Sequence, residues 1–155
     1  MSLTSMGNII GRHRLFAGLD PGFLDRVAGC AVDRVFAPGV HVVREGDASD
    51  RLFLLRAGHV GLDMRVPGRG AMRVATVGPD EVLGLSWLAP PHVWRYDCTT
   101  LNEVHAVEID ATCLRGQCEA DPAVGYALLG RFVGPLVERL QDARLQLLDV
   151  YGPVG

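Results

Sequence analysis

The residues best suited to holding a small molecule lie between positions 84 and 95. Gly84-Leu85-Ser86-Trp87 is followed by His92, Trp94 and Arg95. Ser86 offers a hydroxyl, His92 a ring that charges near neutral pH, and Arg95 a permanent cation. Together they suit an anion or a flat ring. Each residue also has a plainer role open to it. Arg95 could be a surface or ion-paired residue, and His92 a solvated loop residue. Trp87 and Trp94 could stack on a ligand, or could belong to the core or to a dimer contact.

Residue types that could do catalytic or metal chemistry are present without the spacing that chemistry needs. Asp47 and Asp50 resemble paired carboxylates, but they sit in the polar turn Glu45-Gly46-Asp47-Ala48-Ser49-Asp50, and turn geometry explains them. His41 and Glu45 have metal-site spacing without a His-x-His pair beside them. Gly84-Leu85-Ser86-Trp87 lacks the second glycine of a nucleophile elbow. Cys30, Cys98, Cys113 and Cys118 form no CxxC pair, so they are expected as buried free thiols. No catalytic residue and no metal are expected.

The elements that must position the 84–95 stretch follow from periodicity. Asp20-Pro21 caps a helix carrying Phe23, Leu24, Val27 and Ala28, which ends between Gly29 and Val32. Residues 1–13 show no pattern and are expected to be flexible, with the folded domain spanning 14–150. From Val35 to Ile109 the chain reads as about eight short strands, with turns every eight to twelve residues. Gly84 to Leu88 makes one helical turn, and Pro90-Pro91 stops it. From Asp110 onward the spacing is helical. Asp110 or Thr112 caps one short helix, and Asp121-Pro122 opens another. Gly134-Pro135 marks a kink or break. Leu136, Leu140, Ala143, Leu147 and Val150 then follow a coiled-coil-like four-three spacing, with Val137, Leu145 and Leu148 as a second apolar edge. Gly152-Pro153 ends it. The fold class is mixed α+β: an antiparallel β-roll of jelly-roll type with an N-terminal helix and C-terminal helices.

Composition narrows the function. The 155 residues are 48% hydrophobic and 21% charged, with a net charge of -3, ordinary for one domain with a real core. The acidic balance argues against a nucleic-acid-binding face. All fifteen basic residues are Arg, which reads as a codon bias. The first fourteen residues hold no long apolar run, so neither a signal peptide nor a membrane span is expected, and the expected compartment is the cytoplasm.

An ordered set of glycines and apolar residues now carries a resemblance. It comprises Phe36-x-x-Gly39, Val43-x-x-Gly46-Asp47-x-x-Asp50-x-Leu52-x-x-Leu55-x-x-Gly58-x-Val60, and Val77-Gly78-Pro79-x-Glu81-x-x-Gly84. Over residues 14–150 the chain resembles the cyclic-nucleotide-binding domain superfamily, the sensor domains of catabolite-activator-type regulators. The resemblance implies a phosphate-binding cassette at Gly84, Leu85, Ser86, Trp87, His92 and Arg95. There a helix N-terminus faces the cyclic phosphate, a Glu accepts from the ribose and an Arg pairs with the phosphate. Gly84 matches. Leu85 stands at the Glu position and His92 at the Arg position, with Arg95 three residues on. Each lost partner costs about 1–3 kcal/mol, so cyclic AMP and cyclic GMP are possible ligands of reduced fit, beside another small anion.

The expected function is a sensor or regulatory domain with altered or lost nucleotide specificity. The alternative is a degenerate, non-ligand-binding, dimeric protein-interaction module. The resemblance implies a homodimer through residues 136–150, with a small molecule or another protein as further partner. No nucleic acid is expected, and no helix-turn-helix fits after residue 150.

Overall fold

The computed structural model describes residues 3–151. Helix α1 (Leu3–Arg12) and helix α2 (Pro21–Ala28) precede eight strands: β1 (Ala31–Phe36), β2 (His41–Val43), β3 (Arg51–Ala57), β4 (Val60–Val66), β5 (Gly70–Val77), β6 (Val82–Leu83), β7 (Asp97–Thr100) and β8 (Val104–Asp110). A single 3₁₀ turn, Ser86–Leu88, lies between β6 and β7. Helices α3 (Ala111–Ala120) and α4 (Pro122–Tyr151) close the chain. The mixed α+β roll expected from the sequence is the architecture observed.

The strands form two four-stranded antiparallel sheets, ordered β1-β8-β3-β6 and β2-β7-β4-β5. The first sheet is a middle layer with a core on each face. Along β3, Leu52 and Leu54 face the helices, whereas Phe53 and Leu55 face the second sheet. Along β8, Val107 and Ile109 face the helices while Val104 and Ala106 face the roll interior. A strand buried on both faces reads as a continuous apolar run, which is why 52–55 carries no polar alternation.

The helical core joins Ile10, Phe16, Phe23, Leu114, Leu128 and Phe132 to that face. Local chemistry sets the helix starts. Asp20 Oδ2 accepts from the Phe23 N–H at 3.1 Å, with Pro21 in the first turn. Asp110 Oδ1 accepts from the Cys113 N–H at 2.8 Å, and Asp121 from the Val124 N–H at 3.4 Å. Each satisfies a backbone donor that the first turn leaves open.

Three expectations are corrected. Residues 3–12, which lack an obvious pattern, form α1, because Met6 and Ile10 reach the helical core. The chain does not break at Gly134-Pro135: α4 runs through Pro135 as one helix of 30 residues. Phe132, one turn before the proline, is buried against Trp87, and that packing offsets the lost backbone bond. Cys30 and Cys113 are not free thiols but a disulfide with Cα atoms 5.7 Å apart. The register Ala31↔Ile109 between β1 and β8 carries position 30 alongside the first turn of α3. Cys98 is free and buried, and Cys118 is free and half-buried. Gly152-Pro153 and the side chain of Val150 lie outside the described residues.

Candidate functional site

The segment after β6 is shaped by Gly84. Its φ is +106°, a region open to glycine and strained for other residues. A Cβ there would stand 2.7 Å from Trp94 Cη2 and 3.3 Å from the Arg51 carbonyl oxygen. The indole of Trp94 therefore lies directly on the Gly84 backbone. Leu85 caps the 3₁₀ turn through its carbonyl, which accepts from the Leu88 N–H at 3.1 Å, and adds no side-chain cap.

The two tryptophans part company. Trp87 is buried in the helical core, edge-on to Phe132 at 5.4 Å, and its carbonyl accepts from Arg115 Nη2 at 2.7 Å. Trp94 is buried in the roll interior, 6.4 Å from Phe53. Of the two readings of each, the structure gives both a core position. His92 is half-buried with φ +54°. Its carbonyl accepts from the Ser49 backbone N–H at 2.7 Å, and the Trp94 backbone N–H donates to the Asp47 carbonyl at 2.8 Å. Along these two facing segments, Ser49 Oγ, His92 Nδ1 and Trp94 Nε1 are buried without a hydrogen-bond partner among the described residues. Arg95 is exposed.

A cavity of about 450 Å³ lies between the roll and α4. That size falls within the range of small-molecule sites. Leu62, Met64, Val74 and Ala75 form its sheet side, with Tyr96 beside them. Arg139, Asp142 and Gln146 reach it from α4, at helical spacing of three and four. None of Gly84, Leu85, Ser86, Trp87, His92 and Arg95 lines it. The helix is held over the roll by Arg139 Nη2 donating to the Val82 carbonyl at 2.9 Å and Gln146 Nε2 donating to the Val74 carbonyl at 2.8 Å. The second cavity, about 410 Å³, lies between Trp87, α3 and α4 and includes Cys118 and Tyr126.

Burial sets the electrostatics. Desolvation pulls the Arg139 guanidinium below the ordinary arginine range, against the fields of Tyr96 and Glu81. It also pushes the Cys98 thiol up to about 12. Sequence reasoning singled out the 84–95 stretch and did not single out Tyr96, Arg139 or Gln146, which line this cavity. The available signal was the polar stripe 139-142-146 running beside the apolar seam. Two seam residues, Ala143 and Leu147, face the roll cavity. Among the described residues no group of three or more His, Cys, Asp or Glu side chains could hold a metal, and no helix is long and apolar enough to cross a membrane.

Comparison with known proteins agrees with this architecture. The family model for the cyclic nucleotide-binding domain matches residues 33–121. A CRP-like cAMP-activated global transcriptional regulator of Mycobacterium tuberculosis is 27% identical over 145 residues, covering 94% of this chain and 63% of the regulator. The chain thus spans less than two thirds of that relative's length. The N-terminal domain of a transcriptional regulator from Streptomyces coelicolor A3(2) is 29% identical, with a TM-score of 0.68 over 88% of this chain and 94% of that one. A cyclic nucleotide-binding domain from Methylobacillus flagellatus superposes with a TM-score of 0.79 over 99% of this chain and 85% of that one; at 18% identity it shares the fold.

Proposed function

Because this chain belongs to the cyclic nucleotide-binding domain family, we propose that it is a ligand-sensing regulatory domain with altered nucleotide recognition, and not a catalyst. Its ligand would occupy the cavity between the roll and α4. The observation that carries this reading is the placement of α4. One helix walls the cavity, hydrogen-bonds to β5 and β6 across it, and bears an exposed apolar stripe through Val133, Leu136, Val137 and Leu140. A ligand that binds one position of α4 more tightly than another shifts that helix, and with it whatever the stripe contacts.

Altered recognition is supported by the cassette. Leu85 cannot accept from a ribose hydroxyl, His92 replaces the phosphate-pairing Arg, and the Trp94 ring covers Gly84. Two lost partners at about 1–3 kcal/mol each are enough to move micromolar binding toward millimolar. A thermal-shift screen of cyclic mononucleotides, cyclic dinucleotides and other small anions, followed by calorimetric titration, tests this. The expected result is a stabilising ligand other than cyclic AMP or cyclic GMP. Micromolar cyclic AMP binding would refute the altered specificity, and silence across the panel from folded protein would refute the sensing role for those ligands.

A second reading is favoured by the exposed stripe itself. A homodimer through residues 136–150 would bury Leu136, Val137 and Leu140, which are 44–57% exposed in the single chain. The domain would then serve as a dimeric interaction module. Both readings are placed in the cytoplasm.

A further inference from the structure

We propose that Arg139, on α4, is the residue that holds the anionic group of the ligand, taking over from the cassette the role of phosphate partner. The ligand class is a molecule with a flat apolar body and one oxyanion, whether phosphate ester or carboxylate. The assignment rests on the cavity between the roll and α4 being the ligand site.

Three observations carry it. First, Arg139 is the cation that lines the 450 Å³ cavity; Arg95 is exposed and His92 lies elsewhere. Second, the guanidinium is half-buried and incompletely matched. It has five N–H donors, and its hydrogen bond among the described residues is the one to the Val82 carbonyl. Among the described residues no carboxylate lies within 4 Å of it. Asp142 shares the cavity wall three residues on, and Glu81 contributes a more distant favourable field. A planar fork with spare donors in a partly desolvated site is matched to an oxyanion. Third, the rest of the wall suits the body of such a molecule. Leu62, Val74 and Ala75 supply apolar floor, Tyr96 a ring, and Gln146 a side-chain amide.

The position has a consequence. Arg139 bonds to Val82, two residues before Gly84, so an anion that recruits its free donors acts on the link between α4 and β6. Occupancy is thereby reported directly to the helix that carries the exposed stripe.

The test uses a charged and a neutral probe of one shape, 1-naphthoate and 1-naphthalenemethanol, titrated into the full chain by fluorescence. Wild type is expected to prefer the carboxylate by about tenfold or more. Arg139→Gln should bring the two probes to parity, and Arg139→Lys should retain part of the preference. Nitrogen-15 resonances of the Arg139 guanidinium, followed in wild type, should move with naphthoate and not with the alcohol, a readout independent of whether a variant folds. Absence of a charge preference in wild type, or its persistence in Arg139→Gln, overturns the proposal. Cyclic AMP and cyclic GMP are added as competitors. Displacement at micromolar nucleotide supports the anion site and counts against the altered nucleotide recognition on which it rests. A preference that depends on Arg139 but resists displacement supports both.

Discussion

The Trp94 indole rests on the backbone of Gly84, so close that a Cβ at 84 would meet Cη2 at 2.7 Å. This contact joins the roll interior to the segment that follows β6. Gly84→Ala should therefore destabilise the fold by about 1–3 kcal/mol, combining positive-φ strain with overpacking. Gly39 has φ +77° but nothing within 4 Å of its would-be Cβ, so Gly39→Ala should cost less, about 1 kcal/mol. Urea unfolding of the two variants checks this. Equal costs would show that the indole contact contributes nothing, and a Trp94→Leu background should relieve part of the Gly84→Ala penalty.

His13 links stability to pH. Its Nε2 lies 3.0 Å from the Glu81 carbonyl and its Nδ1 3.3 Å from the Leu15 N–H, which suits a neutral ring donating through Nε2 and accepting at Nδ1. Burial lowers its pKa below the ordinary 6.5, outweighing the backbone bond and Asp80, which raise it, while Arg14 lowers it further. The unfolded chain then binds the proton more readily than the folded one, so stability rises with pH. The contribution is complete above about 6.5 and is lost as pH falls from there toward the lower folded-state value. Between pH 7.5 and 5.5, wild type should lose more stability than His13→Gln, measured as the difference between their thermal melts. A difference that does not change with pH would contradict the neutral buried ring.

The Cys30–Cys113 bond closes a loop with a sequence separation of 83. Cys113→Ser, or reduction, should lower stability by about 2–5 kcal/mol. Protein purified without reductant should gain two hydrogens in intact mass on reduction, and peptide mapping should assign the bond to this pair. The cytoplasmic location proposed above and this bond make opposing demands, since reducing pools keep cytosolic thiols reduced. The bond is therefore expected to form on purification in air and to open in reductant with a lower melting temperature. Four free thiols after purification in air would contradict it.

The exposed stripe on α4 predicts association. Leu140→Glu places a charge at the centre of a patch where Val137 and Leu140 are more than half exposed and should convert a dimer to monomer without lowering the thermal midpoint of the roll. Sedimentation velocity at micromolar concentration decides it. A monomeric wild type would remove the dimeric reading.

Much of the architecture was legible because its signals are local. Asp20, Asp110 and Asp121 cap the helices they precede, and Gly39, Gly46 and Gly58 take positive φ where turns had been read. The 3₁₀ turn at Ser86–Leu88 likewise falls within the stretch read as one helical turn. The site was less legible. Trp87 and Trp94 are seven residues apart, yet they face opposite cores, because the chain between them rounds the end of the middle sheet and leaves them on its two sides.

By itself the sequence determined the roll, the starts of α2, α3 and α4, and the family, since capping, glycine turns and apolar periodicity act within a few residues of one another. The tertiary structure alone decided which distant residues meet. Cys30 reaches Cys113 through the β1–β8 register, and Arg139 reaches Val82 across 57 residues because α4 lies over the mouth of the roll. Those meetings depend on how whole elements pack, and no spacing along the chain encodes them. The 84–95 stretch with which the residue search began contributes no lining residue to the cavity that α4 walls.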